Sequence, residues 1–325
     1  MTNSQLVTSD SIERAARGLA AVATHTPLVP AWWLRAELGA EVRLKCENLQ
    51  RTGSFKIRGA YTFVSRLTND QRDGGLIAAS SGNHAQAVAL AAQLFGTSAV
   101  LVMPTTALPV KVEGVKRCGA EVVFAGTTHD EREARAAELE RERGLVRVPS
   151  FDHPDIIAGQ GTVGREILED WPEVEVILVP TGGGGEVSGI GAWVKRTNPS
   201  CRVVGVQPDA SAAIRRSLDA GELVTVRSTA TIADGLRVER ISDLTFAHIR
   251  AFVDDVVTVD EEAIRDTTRR LALEAKLIVE YSGATALAAL LSGRFLPHGN
   301  RTAVVLSGGN IQPMEIARLI GSESR

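Results

Sequence analysis

Two hydrophobic patterns take turns along the chain. Short stretches rich in apolar, β-branched residues at 42–47, 76–79, 99–103 and 121–124 read as strands, as do 174–179, 202–206, 256–259 and 302–306. Between them, apolar positions recur at helical spacing from about residue 57, over 85–95, 110–118, 129–143 and 187–195, then over 261–275 and 282–291. A first helix, capped by Ser9 or Asp10, is expected to run through Ala21, before His25-Thr26-Pro27-Leu28-Val29-Pro30 breaks it. Strands that alternate with helices of this length predict βαβ units and mostly parallel sheets flanked by helices, an α/β architecture. The shorter-element block, residues 50–149, is expected to form a small domain, and residues 1–49 with 150–325 a large one. Gly221, Gly235 and Gly293 punctuate the second block, and the adjacent Trp32 and Trp33 read as packing anchors.

Composition changes this picture little. The 325 residues are 44% hydrophobic and 23% charged, the balance of a water-exposed globular protein with a substantial core. A net charge of −3 without a basic tract argues against nucleic acid as a partner. No apolar run approaches the roughly 20 residues that span a bilayer, and Met1 to Asp10 lacks a secretory layout. Cys46, Cys118 and Cys201 are far apart, which suggests neither a disulfide framework nor a zinc site. The expectation is a cytoplasmic enzyme acting on a small molecule.

Four stretches carry chemistry. Lys56 stands in Gly53-Ser54-Phe55-Lys56-Ile57, where apolar neighbours can desolvate an amine and favour its neutral, nucleophilic form. Gly182-Gly183-Gly184-Gly185 falls between a strand and a helix, so successive backbone N–H groups and the helix N-terminus can converge on an anion such as phosphate. Ser80-Ser81-Gly82-Asn83-His84 lies at another strand-to-helix turn. There Ser81 or Asn83 could simply cap the helix, and the same unpaired N–H groups could receive a carboxylate. Ser307-Gly308-Gly309-Asn310 closes the last strand.

With these motifs in this order, from Thr26-Pro27-Leu28 to Asn310, the chain resembles the fold type II pyridoxal-phosphate enzymes, of the threonine/serine dehydratase (ammonia-lyase) and serine racemase group. The resemblance implies a tryptophan synthase β-like fold of two domains with pyridoxal 5'-phosphate in the cleft between them. It implies that Lys56 binds the cofactor covalently and moves the substrate's α-proton, with Phe55 beside it. Gly182 to Gly185 would hold the phosphate, Asn83 the ring hydroxyl and Ser307 the ring nitrogen, while Ser80, Ser81, Gly82, Asn83 and His84 would surround the substrate carboxylate. His84 is expected to be structural rather than a general base. The expected reaction is dehydrative deamination of L-threonine or L-serine to a 2-oxo acid and ammonia. The alternatives are a racemase, a dehydratase of another β-hydroxy amino acid, or a catalytically silent ligand-binding protein on the same fold. A homodimer or homotetramer is expected, with no room after the last helix for an appended regulatory domain.

Several positions refine the expectation. Ser81 matches racemases of the group, which need a second acid–base residue opposite Lys56, although dehydratases also carry serine there. Phe151 and Gln207 side with dehydratases. Gln207 and Ala213 stand where metal-assisted members have carboxylates, so no divalent-cation site is expected, Asp209 notwithstanding. Glu186 replaces the group's usual leucine directly after the phosphate turn, and the sequence supplies no account of it. Glu186 and Tyr281 are both unusual enough to suggest an unusual substrate.

Overall fold

The computed structural model describes residues 6–80, 82–107, 109–227, 231–297 and 301–321. Two sheets organise it. The larger takes strands β1 (Leu28–Pro30), β2 (Glu41–Lys45), β7 (Val176–Pro180), β8 (Arg202–Pro208), β9 (Asp255–Val259) and β10 (Arg301–Val305), in the order β1-β2-β10-β7-β8-β9. The smaller takes β3 (Leu76–Ala79), β4 (Ala99–Met103), β5 (Glu121–Phe124) and β6 (Val146–Arg147), in the order β5-β4-β3-β6. Every pairing is parallel except β1 with β2. The reason is visible in the runs themselves. Leu44, Leu178, Val204 and Val304 in the large sheet, and Ile77 and Leu101 in the small one, are almost wholly buried because helices cover both faces.

Parallel strands all deliver their C-terminal ends to one edge, where α/β sheets place ligands. β3 runs into Ser80, β7 into the glycines and β10 into Ser307. β7 and β10 are neighbours in the large sheet, so their ends meet by topology, and the end of β3 in the small sheet lines the same cavity.

Some expectations need correction. The first helix spans Ser9–Leu19 and is capped by Thr8, whose hydroxyl accepts from the Ser11 amide while Ser11 returns the bond. The helix expected over 261–275 is α-helical at Glu261–Arg270 and then widens into a π turn at Leu271–Ala275, ending at left-handed Lys276. Trp33 packs on the large-sheet core, but Trp32 is 69% exposed and anchors nothing. The helix Pro154–Asp170 was not anticipated, yet it packs against both the Lys56–Ser65 and Gly185–Thr197 helices. Its glycines permit this. A Cβ at Gly159 would fall 2.4 Å from the Arg58 carbonyl oxygen, and one at Gly161 2.9 Å from the Gly189 carbonyl oxygen.

Candidate active site

Lys56 opens the helix Lys56–Ser65 and is delivered by a tightly held approach. Thr52 and Gly53 both adopt left-handed backbone angles, and a Cβ on Gly53 would sit 2.6 Å from Asn310 Oδ1. Ser54 bridges to Gly308, and the Phe55 amide donates to the Ser307 carbonyl at 3.2 Å. The Lys56 amine donates to the Ser150 carbonyl at 2.9 Å and lies 5.1 Å from the centre of the Phe55 ring. Burial lowers its pKa to about 8, against an opposing pull from Glu186. The amine is thus far easier to deprotonate than a solvated lysine.

The glycines form a turn whose side-chain space is already filled. A Cβ on Gly183 would lie 2.3 Å from the Phe151 ring, and one on Gly185 2.8 Å from the Phe151 carbonyl oxygen. Gly184 has φ +89°, a conformation that favours glycine. The helix Gly185–Thr197 then starts, presenting its free N–H groups at the cleft.

On the small-sheet side, Gly82 rather than a serine or asparagine side chain occupies the N-cap of helix Asn83–Phe95 and leaves that helix start without a side-chain cap. Free amides there suit a carboxylate. Ser80 Oγ accepts from the Gly82 amide at 3.3 Å. Ser81 lies outside the described residues. Asn83 does not cap the helix either. Its amide nitrogen donates to Glu280 at 2.5 Å and its oxygen accepts from Asn310 at 2.7 Å, while Asn310 also donates to the Thr52 carbonyl. His84 is buried, bonded to the Val148 carbonyl at 3.0 Å, and burial with the nearby Lys56 charge lowers its pKa to about 3. It is a neutral structural group at ordinary pH.

These stretches line one cavity of about 970 Å³ between the two sheets, with Ser307 in its wall. Several polar residues of its lining are absent from the sequence motifs. Lys111, 7% exposed, pairs with Asp234 at 2.8 Å across the cleft. Glu280 has its pKa raised to about 7 by burial and by the Asp234 charge. Gln160 is 1% exposed on helix Pro154–Asp170. Only Gln160 left a sequence signal, a lone amide in an apolar, glycine-rich stretch. Glu186 also lines the cavity and is 5% exposed, with its carboxyl influenced by Glu47, Lys56 and Arg58. Tyr281, between the cavity-lining Glu280 and Ser282, turns its hydroxyl to donate to Glu315 at 2.6 Å, tying two helices together. Gln207 is spent on capping, its oxygen accepting from the Ile214 and Arg215 amides and its nitrogen donating to the Ser211 carbonyl.

The residues fit pyridoxal phosphate: a glycine cradle too tight for side chains, a desolvated amine in the same cavity, and amide and hydroxyl groups from Asn83 and Ser307 on the walls. Comparison with known proteins agrees. The sequence profile of the pyridoxal-phosphate dependent enzymes matches residues 20–308. The L-threonine ammonia-lyase of Thermotoga maritima is 43% identical over 97% of this chain and 78% of its own. The L-threo-3-hydroxyaspartate ammonia-lyase of a Pseudomonas species is 40% identical over 97% of this chain and 99% of its own. Maize serine racemase superposes with a TM-score of 0.93 at 38% identity, covering 96% of each chain. The chain belongs to the pyridoxal-phosphate dependent enzymes, with the α/β fold of serine racemase and threonine deaminase.

Proposed function

We propose that the protein is an ammonia-lyase that converts a β-hydroxy amino acid, L-threonine or L-serine first, to a 2-oxo acid and ammonia. The observation that carries this reading is the Lys56 amine, desolvated to a pKa of about 8 and set in the same cavity as the glycine turn and the 80–84 turn. Gly182 to Gly185 would hold the cofactor phosphate, Asn83 the ring hydroxyl and Ser307 the ring nitrogen. When bound, the cofactor supplies an electron sink for the bond that breaks at the substrate α-carbon. The uncapped turn at Gly82, with Ser80 and His84 as its frame, orients the substrate carboxylate. Lys56 accepts the α-proton, the β-hydroxyl departs as water, and hydrolysis of the remaining C–N bond returns that water and releases ammonia. The neutral hydroxyl of Ser307 does not keep the ring nitrogen protonated as a carboxylate would, which suits prompt loss of a β-substituent over transamination. His84, held neutral and bonded to backbone, moves no proton. The homo-oligomeric state expected from sequence belongs to this proposal and is open to sedimentation analysis, and the cytoplasmic location is open to cell fractionation.

A second reading has its own support. Arg132 lines the cleft, and its Nε is buried without a hydrogen-bond partner. Such a cation would suit a substrate with a second carboxylate, as in the name of the Pseudomonas relative. The test is to incubate the holoenzyme with L-threonine, L-serine and L-threo-3-hydroxyaspartate. Oxo acid and ammonia are assayed beside chiral chromatography, for the native protein and for Ser81→Ala. Equimolar oxo acid and ammonia support the lyase reading, and the fastest substrate chooses between threonine and hydroxyaspartate. D-serine formed faster than pyruvate, and lost in Ser81→Ala, would put a racemase in its place. No turnover of any of the three by cofactor-loaded protein would leave a ligand-binding protein.

A further inference from the structure

Glu186 is the second residue of the helix Gly185–Thr197, one step beyond the phosphate cradle. An acidic residue in a helix's first turn usually accepts from the free amides there. Glu186 does not. Both of its carboxyl oxygens are shielded from solvent and neither has a hydrogen-bond partner. Gln160, which lines the same cavity, is in the same condition, with both amide atoms buried and unpartnered. Gln160 is pressed against the first turn of the lysine helix, since a Cβ on Gly59 would fall 2.5 Å from its Nε2. Both side chains line the cavity that receives Lys56.

An isolated buried carboxylate is costly enough that the group takes a proton instead. Burial above all, then repulsion from Glu47, pushes the Glu186 carboxyl well above the usual range, with Lys56 and Arg58 pulling the other way. Arg58 cannot be its partner. All three guanidinium nitrogens are engaged by Glu47, Glu166, Thr162 and the Thr24 carbonyl, and Lys45 is likewise bound to Glu166 and the Thr26 carbonyl. Of the cations around Glu186, Lys56 is the one free to change state; His84, which faces Lys56 from the small-sheet side, stays neutral.

We propose that Glu186 is a positioning residue for Lys56: a carboxylic acid buried in the wall of the same cavity that stores the proton the amine sheds and returns it when the amine must be a cation. As the N–H bond of the ammonium breaks, an O–H bond forms on the carboxylate, and the net charge of the site is unchanged. The inference rests on Lys56 being the cofactor-bearing amine. It goes beyond that reading by giving a role to a residue the phosphate turn does not require.

The pair titrates as a unit. In the native protein the free amine should appear in two overlapping steps, because a carboxylate created at Glu186 holds back the lysine's proton. The measurement uses cofactor-free protein: competitive acetylation with acetic anhydride from about pH 6 to about pH 11, spanning the ordinary lysine value, with the Lys56 peptide quantified by mass spectrometry. Glu186→Gln and Glu186→Leu are compared with the native chain. Both variants should give a single, steeper rise with its midpoint lower by at least about one pH unit, a tenfold change in the equilibrium. In the loaded enzyme, the acid limb of the pH–rate profile should move the same way. Coincident curves for the native protein and Glu186→Gln would overturn the proposal. Glu186→Gln is close in shape to the native residue, so it carries the test even if Glu186→Leu does not fold. If reductive trapping places the cofactor on another lysine, the reading of Lys56 fails by a separate observation.

Discussion

Lys56 and Arg58 are two positions apart on one helix, and they are opposite kinds of cation. Arg58, 1% exposed, is met on every side: Glu47 and Glu166 bracket its guanidinium at 2.6–2.9 Å, and those charges outweigh burial and raise its pKa. Lys56 is met by one carbonyl and a ring, so burial wins and lowers its pKa to about 8. Arg58 is the more deeply buried of the two, yet it is the pKa of Lys56 that falls, so the difference lies in how well each charge is partnered. A fully satisfied charge is fixed and serves the fold; a poorly satisfied one can change protonation state and serve chemistry. The same contrast separates Glu47, bonded to Arg58 and Thr26, from the unpartnered Glu186.

Substitutions should break the two members of this comparison in different ways. Lys56→Ala should lower turnover by more than about a thousandfold while leaving the melting temperature of the cofactor-free protein nearly unchanged, as read by oxo-acid release and thermal denaturation. Arg58→Ala should do the reverse in kind. It leaves the buried Glu47 without a cation and Glu166 with Lys45 alone, and should cost about 3–5 kcal/mol of stability, measured by urea denaturation of cofactor-free protein. Equal stability losses in the two variants would erase the distinction. Gly183→Ala drives a methyl group against the Phe151 ring and should weaken cofactor binding by at least about tenfold, roughly 1.4 kcal/mol, in a fluorescence titration. Smallest of all, chelator treatment should change neither rate nor melting temperature, because Gln207 is committed to capping helix Ala213–Ala220. A loss restored by magnesium would contradict this.

Much of the architecture was legible because parallel strands buried on both faces leave unbroken apolar runs, as at Leu76–Ala79 and Ala99–Met103, which sequence placed to the residue. The helix Pro154–Asp170 was not, because its glycines argue against helix locally and make sense only against the backbones of Gly59, Gly189 and Ile190. The candidate site followed the same division. Lys56, Asn83, the glycines and Ser307 sit in turns whose chemistry is local and visible. Lys111, Asp234, Gln160 and Glu280 acquire their positions from partners up to 197 residues away, such as Asn83 for Glu280, and no local pattern announces that. Glu186 was conspicuous in sequence, but its isolation is a property of the packed interior alone.

Lys111 is the other amine lining the cleft, and its pairing with Asp234 puts it in the class of Arg58 rather than Lys56. That makes one measurement decisive. Borohydride reduction of the cofactor-loaded protein, followed by peptide mapping, should place the covalent adduct on Lys56 and leave Lys111 unmodified. An adduct on Lys111, or on any lysine other than Lys56, would contradict the account.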